Sequence, residues 1–309
     1  MPRKSNNSLG LALGSGGARG LTHIGVLRGL KKAGIRVDLI TGTSIGAVVG
    51  AMYAATLDPD WIQTRISEFL NSDEYHEIGL ERIQPTDQPN PSIFQSAAKY
   101  VRQRIYFNIV IDRMGLLKSE RLRSVIEFML PVKTFEELQL PFGCVAVDLN
   151  SGADVAFNSG DLITALTASS TVPGYIEPVR LENYLLTDGG ISQPMPLKLL
   201  KNMGAKTTLA VDVSIDSFQQ LKSPNLMQIL GRAEQISSSK LAQLTDARAD
   251  VLIKPDNLNL FWSDFTQIEK LVDNGENAVC NHLEEIQSKM DTKLNISQRL
   301  LKQIENYIN

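Results

Sequence analysis

The sequence predicts an α/β protein built around a parallel sheet. Strand and helix patterns alternate from Leu9 to Ala55 at a spacing that implies right-handed crossovers. The same rhythm returns after Pro141. With 309 residues, 43% of them apolar and 21% charged, the chain can bury a large core and has ordinary globular composition.

The elements follow in order. Leu9–Leu13 is an apolar strand, and a glycine-rich loop follows it. The next helix carries Leu21, Ile24, Leu27 and Leu30 at three-residue spacing. Lys31 and Lys32 stand near its end, and Gly34 stops it. Asp38–Thr43 is a second strand and Ile45–Ala55 a second helix. Asp58-Pro59-Asp60 closes that unit and opens a helix over Trp61–Leu70. Gln84–Ser92 holds three prolines and reads as a loop. Beyond Pro141, FGCVAVDL is a buried strand and VAFN a short one. Asp161–Ser170 is a helix, Tyr184–Thr187 a strand and Leu197–Asn202 a helix. Thr207–Val213 and Val251–Ile253 are strands. From Phe265 the pattern is helical, with Gly275 as an interior interruption.

Several function classes are disfavoured. A net charge of −3 argues against a nucleic-acid protein. Two cysteines, Cys144 and Cys280, give no disulfide framework, so a reducing compartment and a cytoplasmic location are expected. The start, MPRKSNNSLGLALG, is a poor signal peptide because its apolar stretch runs straight into glycines. Leu39–Leu57 has no charge over nineteen residues. Its glycine, serine, threonine and alanine content fits a buried strand–turn–helix better than a membrane span.

The sharpest local pattern is Gly42-Thr43-Ser44-Ile45-Gly46. It fits G-x-S-x-G, in which a strand turns abruptly into a helix and holds a serine hydroxyl clear of the backbone. Small-residue turns of other kinds also fit it. A serine nucleophile needs a base, and the usual partner is histidine. The three histidines are His23, His76 and His282. None ends a late strand, so each reads as a surface or structural residue, and none has metal-site spacing. Asp188 does end a strand, followed by Gly189 and Gly190. Ligands and chemistry gather at such ends in α/β proteins, though D-G-G alone equally fits a tight turn. An aspartate base depends on close geometry, and desolvation that raises its pKa would help.

The opening loop, LALGSGGARGLTH, matches neither a P-loop nor a dinucleotide fingerprint. What remains is a row of amides from Gly16, Gly17 and Ala18 at a helix N-terminus, which stabilises negative charge. Beside an activated serine, that charge is the oxyanion of an acyl intermediate.

Glycine loop, G-T-S-I-G and D-G-G, in that order and without a catalytic histidine, resemble a patatin-like phospholipase. The resemblance runs from about Leu9 to Pro255 and includes LALGSGGARGLTHIGVL, GTSIGA and SSTVPGYIEPV at 169–179. It implies Ser44 as nucleophile, Asp188 as general base, and Gly16 and Gly17 with Ala18 as the oxyanion hole. Gly14, Arg19, Gly20, Gly42, Gly46, Gly189 and Gly190 support these motifs. The family's usual first loop glycine is Ser15 here. The resemblance further implies a three-layer α/β/α sandwich with a mostly parallel sheet, no metal or other cofactor, and a lipid or lysolipid acyl ester as substrate. The expected hydrolase domain covers 8–260, with a helical, lid-like insertion at about 72–130. A C-terminal helical segment over 261–309 packs on it.

The leading expectation is a phospholipase A or lysophospholipase-type esterase working through an acyl-enzyme. One alternative is an acyltransferase with the same dyad, whose carrier-acting relatives tend to have G-H-S-x-G where this chain has Thr43. The other is a non-catalytic lipid-sensing protein. Ser96–Lys118 carries five basic residues, one acid and three aromatics. It reads either as a membrane-facing lid, in peripheral contact with the inner membrane surface, or as a solvated helix face.

Overall fold

β1 (Leu9–Leu13) is buried at every position, as a strand covered on both faces must be. Its side chains alternate between two cores. Leu9, Leu11 and Leu13 enter the larger one, and Ala12 enters a smaller one with Leu197 and Leu200. Helices therefore cover both faces of the sheet. The computed structural model describes residues 8–78 and 114–292, apart from 216, 219, 222, 223, 225 and 247.

After β1 a short 3-10 turn (Gly17–Leu21) leads into α1 (Thr22–Lys32). β2 (Leu39–Gly42) and α2 (Ile45–Thr56) follow. α3 (Pro59–Leu70) starts with Pro59 at its first turn, where the missing N–H costs nothing, and Asp58 caps it by accepting from Asp60 N. The chain continues through α4 (Asp73–Ile78), β3 (Gly115–Leu117) and α5 (Ser119–Met129). Next come β4 (Phe142–Asp148), β5 (Asp154–Phe157) and α6 (Leu162–Ser169), whose cap Asp161 accepts from Thr164 N at 2.6 Å. β6 (Gly174–Ile176), β7 (Val179–Leu181) and β8 (Tyr184–Asp188) lead to a second 3-10 turn (Gly189–Ile191). α7 (Leu197–Asn202), β9 (Thr207–Val211), α8 (Leu226–Asp246), β10 (Val251–Ile253) and α9 (Ile268–Thr292) complete the described chain.

The main sheet runs β10-β9-β1-β2-β4-β8-β7, with β5 paired to β4. β10, β9, β1, β2 and β4 are mutually parallel, and β8, β7 and β5 join antiparallel. β3 and β6 form a small parallel pair apart from it. The uncharged stretch 39–57 forms β2, a tight turn and α2. Among the described residues no helix is long and apolar enough to cross a membrane.

Several elements escape the sequence reading. β3 and β6 pair with each other, and β7 forms a hairpin with β8. α8 is a helix of 21 residues between β9 and β10. Gly275, expected as an interruption, instead lets α9 lie against α1. A Cβ there would meet the Thr22 carbonyl and sit 3.0 Å from Val26 N, while Gly25 and Gly29 of α1 face Val272 and Val279. Leu271, Val272 and Val279 are thereby buried in the main core. Of the basic segment Ser96–Lys118, residues 96–113 lie outside the described residues.

Candidate active site

The β2–α2 turn holds Ser44 in an uncommon backbone conformation, φ 56° and ψ −126°. Such a conformation costs a non-glycine residue about 1–3 kcal/mol and persists only when its surroundings enforce it. Four hydrogen bonds do so. Thr43 N donates to the Leu13 carbonyl at 3.2 Å, and Thr43 Oγ1 donates to the Gln193 carbonyl at 2.8 Å. Ser44 N donates to Ser169 Oγ at 3.1 Å. Ala47 N donates to the Ser44 carbonyl at 2.8 Å, starting α2. Gly42 and Gly46 permit the sharp reversal: a Cβ on Gly42 would enter the Gly46–Ala47 peptide, and one on Gly46 would strike the Leu13 carbonyl.

Across the sheet, β8 ends on Asp188. Its amide donates to the Thr171 carbonyl at 3.1 Å, and its Oδ1 accepts from Gly190 N at 2.7 Å. The Ser44 hydroxyl faces the same carboxylate and, like Gly190 N, lowers its pKa. Burial is the largest influence on Asp188 and lifts its pKa to about 6, against the downward pull of Ser44 and Gly190 N. Gly189 packs on the Val145 carbonyl, and a Cβ on Gly190 would sit 3.1 Å from Ser15 Oγ. The serine that replaces a loop glycine therefore borders the Asp188 turn.

The glycine loop is tied down from several sides. Gly14 N donates to the Val211 carbonyl at 3.0 Å and Ser15 N to the Pro194 carbonyl at 2.8 Å. Gly20 packs directly on Ile45, the residue after Ser44. Arg19 is buried. Its Nε donates to the Val213 carbonyl at 3.1 Å and its Nη1 to the Leu260 carbonyl at 2.9 Å. Arg19 thus fastens the loop to the end of β9 and to the segment before α9. One expectation is corrected. Ala18 N donates to the Trp262 carbonyl at 2.7 Å, so it is closed to an oxyanion. The amides of Gly16 and Gly17 have no hydrogen-bond partner among the described residues. Gly17 also adopts φ 58°, in the left-handed region that glycine reaches without penalty.

The histidines stand apart from the chemistry. His23 is fully buried, and its Nε2 lies 2.9 Å from the Gly14 carbonyl. A carbonyl only accepts, so Nε2 carries the proton and donates. Desolvation lowers its pKa to about 4, and the ring is neutral. His76 lies on α4 and His282 on α9. Among the described residues no group of three or more histidine, cysteine or acidic side chains could hold a metal.

The family profile described as Patatin-like phospholipase matches residues 11–201, which take in the glycine loop, the elbow and Asp188. The chain belongs to the patatin-like phospholipase family. An uncharacterized NTE family protein of Mycobacterium tuberculosis is 32% identical over 213 residues, covering 68% of this chain and 50% of that one. Patatin-like phospholipase domain-containing protein 6 of Homo sapiens is 34% identical over 211 residues, covering 68% of this chain and 14% of the human one. This chain thus spans about half the length of the mycobacterial relative. Among solved structures, VipD from Legionella pneumophila aligns with 92% of this chain and 67% of its own at TM-score 0.49 and 15% identity.

Three features of this patatin-like site lie outside the glycine loop, the elbow and the Asp188 turn. Ser169 Oγ donates to the Val145 carbonyl at 2.7 Å while accepting from Ser44 N, so it bridges the elbow to β4. Thr171 receives both the Asp188 amide and the Thr187 hydroxyl at its carbonyl. The stretch SSTVPGYIEPV therefore braces both partners of the serine–aspartate pair. The third is Glu234 on α8. Its pKa is raised to about 7, chiefly by burial and next by the nearby Asp188, with Arg19 opposing. Tyr175 stands between α8 and Trp262, its ring meeting the indole edge-on at 5.0 Å.

Proposed function

We propose that this patatin-like chain is a lipid acyl-ester hydrolase of the phospholipase A or lysophospholipase type, working through a Ser44–Asp188 dyad. The observation that carries the reading is the strained Ser44 facing a buried Asp188 whose pKa is lifted to about 6. A base tuned toward neutral pH accepts a hydroxyl proton more readily than an ordinary aspartate.

The steps follow from the geometry. Ser44 Oγ attacks the ester carbonyl carbon as its proton passes to Asp188. The carbonyl oxygen becomes an oxyanion, for which the free amides of Gly16 and Gly17 are the available donors. Each such donor is worth about 2.7–4 kcal/mol of barrier. The tetrahedral species collapses, the C–O bond to the alcohol breaks, and Asp188 returns the proton to the leaving oxygen. Asp188 then takes a proton from water, water attacks the acyl-enzyme, and the fatty acid leaves with Ser44 restored. His23, neutral and bound to Gly14, takes no part beyond holding the loop.

A fluorophosphonate probe tests this. Wild-type protein is expected to label at Ser44, and Ser44→Ala and Asp188→Asn are expected not to. Undiminished labelling of Ser44→Ala overturns the proposal.

A further inference from the structure

α8 has two faces of opposite character. Toward the protein, Gly231 lies beneath the Tyr175 ring, and Glu234 faces Asp188 and Arg19. Ser239 donates to the Ile215 carbonyl at 3.1 Å, Ala242 is buried, and Asp246 meets Lys254 Nζ at 3.0 Å. These positions lie on one side of the helix and define its inner stripe. The outer stripe carries Leu226, Ile229, Leu230, Ile236 and Leu244, all exposed, with Leu230 at 55% and Leu244 at 71%. Five large apolar side chains along one helix face are more than a soluble surface ordinarily leaves open.

The charges on α8 are sorted in the same way. Both acids, Glu234 and Asp246, face inward. Lys240 stands exposed on the outer side, and Arg232 lies over the ring of Phe218, itself exposed, at 5.2 Å. An apolar stripe beside Lys240 and Arg232, with both acids of its own helix turned inward, complements a surface that is apolar beneath and negative at its rim. That is an anionic lipid interface. A second copy would bring like charges together across the contact. The inner side of the same helix borders the dyad, so docking here sets the catalytic residues beside the lipid.

We propose that the outer face of α8, built on Leu226, Ile229, Leu230, Ile236 and Leu244 with Lys240, is the surface by which this protein docks on anionic lipid. The proposal rests on the lipid-hydrolase reading for its purpose, but its test is independent of turnover.

The full chain is sedimented with vesicles of phosphatidylglycerol and phosphatidylcholine, and separately with phosphatidylcholine alone. Wild type is expected to prefer the anionic vesicles, and binding is expected to fall as salt rises. Leu230→Glu/Leu244→Glu is expected to weaken that binding about tenfold or more at an unchanged melting temperature, because both side chains point to solvent. Lys240→Glu is expected to weaken binding to anionic vesicles only. Three results overturn the proposal: no preference of wild type for anionic vesicles, unchanged binding by the double variant, or a wild-type dimer on size exclusion that the double variant splits. Hydrolysis of a soluble short-chain ester is measured beside it. Stripe-dependent vesicle binding without Ser44-dependent hydrolysis would refute the enzymatic reading and leave the docking surface standing. The reverse result would refute the docking surface alone.

Discussion

Asp188→Asn is expected to give a protein that loses its chemistry and gains stability. The wild-type carboxyl is buried, and burial lifts its pKa from 3.8 to about 6. In the unfolded chain the group titrates near its ordinary value. The folded state therefore binds the proton more tightly, and ionisation opposes folding. The cost is complete above pH 6 and fades as pH falls toward 4. At pH 8 it amounts to about 3 kcal/mol, and at pH 4 to less than about 1 kcal/mol. The asparagine side chain has no charge to desolvate. Its oxygen can accept from Gly190 N as Asp188 does, and its NH2 can donate to the Ser44 oxygen. Urea denaturation of both proteins at about pH 8 and about pH 4 measures the difference. Glu234 and Asp246 also titrate in this range but are common to both proteins. The variant is expected to be more stable at the higher pH by roughly the stated amount, and nearly equal at the lower. Equal stability at pH 8, or an advantage that persists unchanged at pH 4, would refute the desolvation argument.

Two further outcomes are expected. Ser169→Ala removes the partner of both Ser44 N and the Val145 carbonyl, and each buried group left unpaired costs about 1–3 kcal/mol. It should also lower kcat on the order of 10²-fold with KM little changed, since the elbow loses its brace; Ser169→Thr, which keeps the hydroxyl, should restore much of the rate, and a kcat equal to wild type in the alanine variant contradicts the role. In wild type the acid limb of kcat/KM on a soluble ester should lie near pH 6, set by Asp188. Glu234 is held above its ordinary pKa partly by Asp188, so Asp188→Asn should lower the Glu234 pKa from about 7, as followed by carboxyl NMR; an unchanged value would show that the two carboxyls do not interact.

The parts of the site legible in the sequence are those encoded in short windows. Strand, glycine turn and helix are local events, so the elbow and the Asp188-Gly189-Gly190 turn announced themselves. The contacts that complete the site join distant residues. Ser169 meets Ser44 across 125 positions, and Arg19 meets Leu260 across 241. No window contains both partners. The Ala18 amide stood correctly in its row at the start of the helical turn, yet the Trp262 carbonyl had already claimed it. α8 misled for another reason. Its apolar spacing is helical, but the apolar stripe faces solvent and the glutamate faces the core, the reverse of what periodicity alone predicts. Gly275 read as a flaw in a helix because its partner, Thr22, lies at the other end of the chain.

The carbonyls of Leu260 and Trp262 have a consequence for how the protein comes into being. They hold Arg19 and Ala18, two residues of the glycine loop near the start of the chain. A ribosome delivers that loop, the elbow and Asp188 long before it delivers residue 262. Through most of synthesis the nascent chain carries Ser44 and Asp188 but holds the glycine loop loose. The loop is fastened only when β10 and the segment behind it emerge and close on it. The same order makes the carboxyl-terminal part of the chain an inspector of the whole: a product truncated before Leu260 would carry every signature motif and still hold its loop unfastened.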